Sequence, residues 1–274
     1  MFKTTAIPSR PSFYLATPRL FIRDDINMTS EYSLKACVIC PNRHYGFCLT
    51  LLQTLDNELE KHFIKKLQLP AGDFAFRQGD SFHGFFILKS GWMLLSRLTE
   101  EGKRQVLRPI LPGKIFGLQP DQQAPTFYSA QAIQDTDVCN ISWTIQLCTT
   151  HPDLAMRLIW ASACDKLVTE MYLTQICQRS ARERVAFMVL ELFRNLKLRG
   201  LSKDNIMPFP LKQEDIADML GLTTIHVNRT LHALKSDGLF SIHQRELTIL
   251  DYEGLCNLVG SIDKYMAYDY PMKS

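Results

Sequence analysis

One change of texture constrains the fold more than any other feature of the chain. From Leu67 to Ile145 the apolar residues come in short runs, Phe74-Ala75-Phe76, Phe85-Phe86-Ile87-Leu88, Trp92-Met93-Leu94-Leu95 and Val106-Leu107. Gly72, Gly79, Gly84, Gly91, Gly102, Gly113 and Gly117 punctuate them. Short strands between regularly spaced turn glycines predict a small antiparallel β sandwich or barrel-like roll. After Pro152 the period becomes helical: Leu154, Leu158, Ala161, Val168 and Tyr172 form one stripe, and Trp160, Cys164, Leu167 and Met171 a second. The expected class is therefore α+β.

Leu154 to Ile176 spans 23 residues, roughly 34 Å of helix at ~1.5 Å per residue. A helix apolar on two sides needs two partners. One stripe can cover the β domain while the other packs on the same helix of a second subunit, as in a two-stranded coiled coil. Burial of both stripes within one monomer is the alternative. Asp165 interrupts the first stripe and is expected at its solvent edge.

Length and composition bound the rest. The 274 residues suggest two domains at ~150 residues each. With 46% hydrophobic and 22% charged residues the chain is globular in composition, which excludes a disordered or fibrous protein. No apolar run approaches the ~18 to 20 residues needed to cross a bilayer, and Met1 to Asp25 mixes Arg10, Arg19, Arg23 and prolines instead of a signal-peptide block. No membrane association and a cytoplasmic location are expected. There is no Walker loop, Gly-x-Ser-x-Gly elbow or His-Glu-x-x-His motif, so an enzyme is not expected and one of unrecognised type stands only as the weaker alternative.

Four regions follow. Residues 1–35 read as a flexible lead-in with no fold. Residues 36–150 hold a cysteine-rich segment, a helix of about four turns carrying Leu51, Leu52, Leu55, Leu59 and Phe63, and the β domain. Residues 151–180 are the long helix. Residues 181–274 continue as helix to about Arg199, then two short helices over Leu211–Lys235, a hairpin over Leu239–Leu250 and a final helix from Tyr252 to about Met266.

The two short helices carry the clearest chemistry. Ile216, Ala217 and Leu220 share one face of the first; Gly221 supplies the turn, and Thr223 or Thr224 caps the second. Val227, Leu231 and Leu234 point to the core at i, i+4 and i+7, leaving Ile225, Arg229 and His232 opposite, Asn228 on the flank, and His226 in the first turn. This is a helix-turn-helix, whose second helix enters the major groove of double-stranded DNA. Arg229 can pair bidentately with guanine, and Asn228 with adenine or a phosphate. An ordinary helical hairpin is the structural alternative. The hairpin with Gln244 and Arg245 at its tip reads as a wing. The net charge of only +3 does not reveal a nucleic-acid binder. Residues 179–199, however, set Arg179, Arg182, Arg184, Arg194, Lys197 and Arg199 against Glu183 and Glu191, a local basic patch for phosphates.

The order of β roll, long helix and winged helix-turn-helix resembles the Crp/Fnr family of bacterial transcription regulators. The residues that carry the resemblance are Leu69-Pro70-Ala71-Gly72-Asp73, Gln78-Gly79-Asp80, Gly91, Gly113-Lys114-Ile115-Phe116-Gly117, Ala181-Arg182-Glu183-Arg184-Val185-Ala186 and Leu247-Thr248-Ile249-Leu250-Asp251. The resemblance implies a cyclic-nucleotide-binding-like roll, a homodimer on an approximately palindromic site with recognition helices roughly 34 Å apart, and RNA polymerase as a partner. Cyclic-nucleotide binders of the family carry an Arg-Ser pair in the phosphate cassette. Pro125-Thr126 stands at that place here, so cyclic AMP is not expected. Members that read the Fnr half-site carry Glu, Ser and Arg where this chain has Ile225, Asn228 and Arg229, which leaves the half-site open.

Cys37-Val38-Ile39-Cys40-Pro41-Asn42-Arg43-His44-Tyr45-Gly46-Phe47-Cys48 is a C-x2-C-x7-C cluster. Two thiolates two residues apart can face one metal centre, and a third within a short loop can close another corner. The segment resembles the ligand segment of the oxygen-sensing Fnr branch, which draws a fourth cysteine from a late strand of the roll; Cys139 stands at that place. The resemblance implies a [4Fe-4S] cluster on Cys37, Cys40, Cys48 and Cys139. Zinc, thiol-based sensing, and a small molecule in the roll with structural cysteines are the alternatives. Cys148, Cys164, Cys177 and Cys256 are expected in the core, and His44 beside the cluster or exposed.

Overall fold

The computed structural model of the chain describes residues 28–81, 84–119 and 124–260. Residues 1–27 of the expected lead-in, Pro120 to Gln123, and the expected last helix beyond Gly260 lie outside the described residues.

The roll is built from β1 (Met28–Ser33), β2 (Phe63–Leu69), β3 (Phe74–Phe76), β4 (Phe86–Ser90), β5 (Met93–Leu98), β6 (Arg104–Ile110), β7 (Ile115–Phe116), β8 (Ser129–Ala132) and β9 (Thr136–Asn140). One sheet runs β1-β2-β9-β4-β7 and the other β3-β8-β5-β6. Between them lies a core of Leu67, Phe76, Phe86, Leu88, Met93, Ile110, Phe116 and Val138. At the β4–β5 turn only glycine fits. Gly91 has φ +89°, and a Cβ there would stand 2.6 Å from the Asp135 carbonyl oxygen.

Strand alternation gives the first sheet a second buried face. Leu67 and Val138 point into the roll. Cys139 pairs in register with Lys66 on β2 and Ile87 on β4 and points the other way. There, Ile64, Ile87, Cys139 and Ile141 meet Phe47, Leu51 and Leu55 of the segment at α1 (Gly46–Thr54) and Leu154 and Leu158 of the long helix.

Two expectations about this region are corrected. The lead-in is not without fold up to residue 35, because β1 pairs antiparallel with β2, Tyr32 opposite Ile64. The helix expected over Leu51 to Phe63 instead begins at Gly46 and ends at Thr54. A short 3-10 turn at Asp56–Glu58 follows, and Phe63, 52% exposed, opens β2. The i, i+4 spacing of Leu59 and Phe63 is a coincidence of a turn running into a strand.

After α2 (Thr144–Leu147), α3 (Pro152–Gln178) runs 27 residues, about 40 Å. Leu154, Leu158, Cys164, Tyr172 and Gln175 are buried on it. Met156, Ile159, Trp160 and Leu173 are exposed, an apolar face that this chain does not cover; the expected second stripe is corrected, since Trp160 lies on this face whereas Cys164 is buried and Met171 packs against the core of the same chain. Asp165 is not at a free solvent edge: its carboxylate accepts from Arg108 on β6 at 2.6 Å and lies 3.7 Å from Lys114 Nζ, tying α3 to the roll.

α4 (Ala181–Leu198) starts with a capping box in which Ser180 and Glu183 satisfy each other's backbone N–H groups. Val185 to Leu190, Leu192, Phe193 and Leu196 are all essentially solvent-free. β10 (Ile206–Pro208), which the sequence reading lacks, joins β12 (Glu246–Ile249) and β11 (Phe240–His243) in a three-stranded sheet ordered β10-β12-β11. α5 (Gln213–Leu220), α6 (Thr224–Ser236) and α7 (Tyr252–Val259) complete the fold. No helix among the described residues is long and apolar enough to cross a membrane.

Phe193→Ala, at 1% exposure, is expected to cost ~3 to 5 kcal/mol by leaving a cavity in this core. Denaturant unfolding measures it, and a loss under about 1 kcal/mol would contradict the packing described.

Candidate nucleic-acid interface and thiol site

Gly221, at φ +64°, ends α5 and turns the chain into α6. Thr223 is the N-cap, its side chain accepting from the His226 N–H at 3.2 Å. Val227, Thr230, Leu231 and Leu234 are buried. Thr223, Thr224, Ile225, His226, Asn228, Arg229 and His232 are all exposed, so the residues expected to face DNA share the free side of α6. Ile225 is 74% exposed. A groove of about 640 Å³ runs along Thr224, Ile225, Asn228, Arg229 and His232 and also takes in Gln213 at the start of α5. Sequence reasoning missed Gln213 because it credited only the second helix with base contacts. The wing turns through Gln244 and Arg245, both left-handed with φ +47° and +64°, as a two-residue hairpin loop requires.

The basic patch expected along residues 179–199 is corrected. Arg179 pairs with Glu183 at 2.9 Å, Arg182 with Asp237, and Arg184 donates to the carbonyls of Arg179 and Leu220. Arg194 donates to the Tyr252 hydroxyl at 2.6 Å, and buried Arg199 donates to Asn195. Arg182, Arg184 and Arg194 thus join α4 to the end of α6, to α5 and to α7, and Arg199 bonds within its own helix, while Arg179 and Lys197 stay exposed. The roll also reaches the reading unit. Arg104 on β6 pairs with Asp215 and Asp218 of α5, both at 2.7 Å, and Gln105 donates to the Asp218 carbonyl.

The second site lies on the outer face of the five-stranded sheet. Cys37, Cys40, Cys48 and Cys139 line one cavity with Tyr32, Leu34, Ile64, Ile87 and Lys89. Two consecutive 3-10 turns, Leu34–Ile39 and Pro41–His44, curl the loop so that Cys40 N–H donates to the Cys37 carbonyl at 3.0 Å. Buried Asn42 pins it, donating to the carbonyls of Leu88 and Lys89. The Tyr32 hydroxyl and Cys139 Sγ are 3.0 Å apart, and Lys89 Nζ stands over the Tyr32 ring at 5.6 Å. Burial pushes the Cys37 thiol up to about 12, helped by the nearby Cys139 and Cys40 and opposed by Lys89. Burial likewise raises Cys48 well above the ordinary thiol value, and Cys139 also upward. Burial in these apolar surroundings thus favours the protonated form of Cys37, Cys48 and Cys139 unless a cation compensates them.

Between these side chains the centre of a water molecule has about 30 Å³ to occupy, enough for one water. Among the described residues no group of three or more His, Cys, Asp or Glu side chains closes around a single metal ion. The donor set still suits a polynuclear iron–sulfur centre, which takes one thiolate per iron and does not need four sulfurs around one atom.

His44 is exposed and lines a different groove. Of the cysteines expected in the core, Cys164 is buried and Cys148 and Cys256 are half-buried. Cys177 is a correction: it is exposed, in the last turn of α3, on the side away from Tyr172 and Gln175. At the cassette position Thr126 is buried, and its hydroxyl is engaged by the Arg77 carbonyl, so it is not free to contact a phosphate.

Comparison with known proteins agrees with this architecture. Residues 66–144 match the cyclic nucleotide-binding domain family and residues 183–258 the Crp-like helix-turn-helix domain family. The transcriptional activator protein FnrA of Stutzerimonas stutzeri is 29% identical over 219 residues, covering 78% of this chain and 89% of that protein. The transcriptional activator protein Anr of Pseudomonas aeruginosa is 28% identical over 230 residues, covering 82% and 92%. The structure of FixK2 from Bradyrhizobium japonicum superposes with a TM-score of 0.66 at 24% identity, covering 72% of this chain and 98% of FixK2, and supports the fold.

Thiol reactivity tests the geometry of the second site. With Cys37 raised to about 12, its thiolate fraction at pH 8 is on the order of 10⁻⁴, and only the thiolate is alkylated. In metal-free protein, iodoacetamide should modify exposed Cys177 far faster than Cys37 or Cys48. Peptide mass spectrometry over a time course reads the rates, and equal rates would mean that the loop is open.

Proposed function

This chain belongs to the Crp/Fnr family of DNA-binding transcription regulators, and from that premise we propose that it acts as a homodimer on an approximately palindromic site, gated by a [4Fe-4S] cluster on Cys37, Cys40, Cys48 and Cys139. The observation that carries the gating is that these four thiols, on two segments some 90 residues apart in the chain, line one cavity. Bound there, the cluster would supply a centre whose integrity depends on oxygen and redox state. The proposal sets the protein in the cytoplasm, with double-stranded DNA and RNA polymerase as partners. The relatives named transcriptional activators motivate the second of these.

The rest follows from the chain's own residues. Cys48 lies on α1, and α1 buries Phe47 and Leu51 against Leu154 and Leu158 of α3. The same stretch of α3 presents Met156, Ile159 and Trp160 on its outer side. A change in the 37–48 loop therefore alters how the first turns of α3 are held, and with them the face proposed to meet a second subunit. That face has the apolar character and helical spacing of a two-stranded coiled coil. Dimerisation places two copies of α6 for adjacent major grooves, and weakening it reduces DNA binding by mass action.

Anaerobic purification tests the cluster. Protein with iron, sulfide and visible absorption should shift a DNA duplex and lose both colour and shift in air, while Cys139→Ser should hold little iron. A colourless anaerobic protein, a zinc-containing one, or DNA binding indifferent to air and to Cys139→Ser would overturn the gating. For the reading helix, Arg229→Ala should cost ~1 to 3 kcal/mol on a cognate duplex and relax preference at one base pair. Equal weakening on random DNA would instead make Arg229 a phosphate contact.

A further inference from the structure

Gln213 opens α5, a helix that carries none of the residues expected to read bases, yet its side chain lines the same groove as Ile225, Asn228, Arg229 and His232. Asn228 Nδ2 donates to Gln213 Oε1 at 3.1 Å. Fifteen residues apart, the two side chains join the two helices of the motif at the surface that faces DNA. We propose that Gln213 is a specificity-determining positioning residue, which holds the Asn228 amide in one orientation and so makes an A·T pair the preferred partner of that side chain. The inference rests on α6 being the reading helix and deepens that reading.

The argument is an inventory of hydrogen-bonding groups. An asparagine amide offers two N–H donors and one carbonyl acceptor. Adenine in the major groove takes one donor at N7 and offers one at N6, so it needs an N–H and the C=O side by side. Gln213 occupies one N–H of Asn228. What remains is one N–H and the carbonyl, the pair that adenine matches. The terminal torsion of asparagine is broad and nearly two-fold. Without Gln213 the amide is free to present its atoms in either order, and discrimination between bases falls. Ile225 stands three residues earlier with 74% of its surface exposed, an apolar contact that suits a thymine methyl. The next residue, Arg229, has the fork that matches guanine. The three together describe a half-site in which an A·T pair adjoins a G·C pair.

Selection from a random duplex library by the full-length protein, under anaerobic conditions, reads the base preferences of wild type, Gln213→Ala, Gln213→Glu, Asn228→Ala and the double Gln213→Ala/Asn228→Ala variant. Asn228→Ala identifies the base pair concerned. Gln213→Ala is expected to flatten preference at that same pair about tenfold, with the double variant no flatter there than Asn228→Ala alone. Gln213→Glu keeps an acceptor oxygen at the same reach and should retain the preference while binding all sequences more weakly, because its charge faces phosphates. Thermal melts close to wild type show that the variants fold. Gln213→Ala that weakens every sequence equally, or leaves the profile unchanged, overturns this inference alone. A folded wild type that selects no sequence overturns the reading-helix assignment together with it.

Discussion

The structure depends on the burial of α4, whose residues from Val185 to Phe193 are all buried. A helix with so much apolar surface has to be surrounded along that stretch: Trp92, Leu94, Val106 and Leu111 of the roll, Tyr172 of α3, Leu220 and Val227 of the reading unit, and Phe240, Leu247 and Leu255 beyond it belong to one continuous hydrophobic cluster with it. The consequence is mechanical. The roll and the reading helices are not two bodies on a tether, because each contributes to the enclosure of the same helix. Its polar groups then have to be bonded internally. Glu191, raised above the ordinary carboxylate value chiefly by burial, accepts from Asn195 and from the Tyr172 hydroxyl.

The thiol site is placed by a simpler rule, the period of two along a strand. Val138 faces into the roll, so Cys139 must face out. On that outer side the five-stranded sheet is covered by the 37–48 loop, α1 and the start of α3. The sheet is thus a plate with a core on each side, and the cysteines sit in the outer core, against the elements that also carry the exposed apolar face of α3. The thiol cavity and the exposed face of α3 are adjacent because they share this layer.

Much of this was legible from the chain alone. The switch from glycine-spaced strands to a 3.6 period located the roll and α3, and the offsets of Ala217, Gly221, Thr223, Val227 and Leu231 located the reading helices with the correct faces out. These are local rules, decided by neighbours within one or two turns. What was missed is non-local. β1 exists because β2 offers it an edge, and β10 because β12 does; three or six residues have no period to read. The free basic charge along residues 179–199 was overcounted because sequence counts charges without saying which are already paired. Asp165 was taken for a solvent edge because Arg108, 57 residues away, was not visible as its partner. Gln213 escaped because its partner lies on the other helix.

The paired charges also explain how a chain with so small a net charge can present a surface for DNA. Asp215 and Asp218 sit on α5, in the reading unit, where free carboxylates would add negative charge near a phosphate backbone. Both are taken up by one guanidinium, Arg104, which the roll extends across the joint. Asp215 also accepts from the Lys212 backbone N–H, capping α5 at the end where its dipole favours negative charge. With its side chain only 8% exposed, Asp215 would lose its charged partner and keep only the Lys212 N–H in any motion that drew the reading unit away from the roll. Breaking one side of a buried pair costs far more than an exposed bridge contributes. The orientation of the reading helices is therefore tied to the roll of the same chain. Any rearrangement that starts at the outer face of the sheet has to carry β6 and α5 together, or find Arg104 and the two carboxylates new partners.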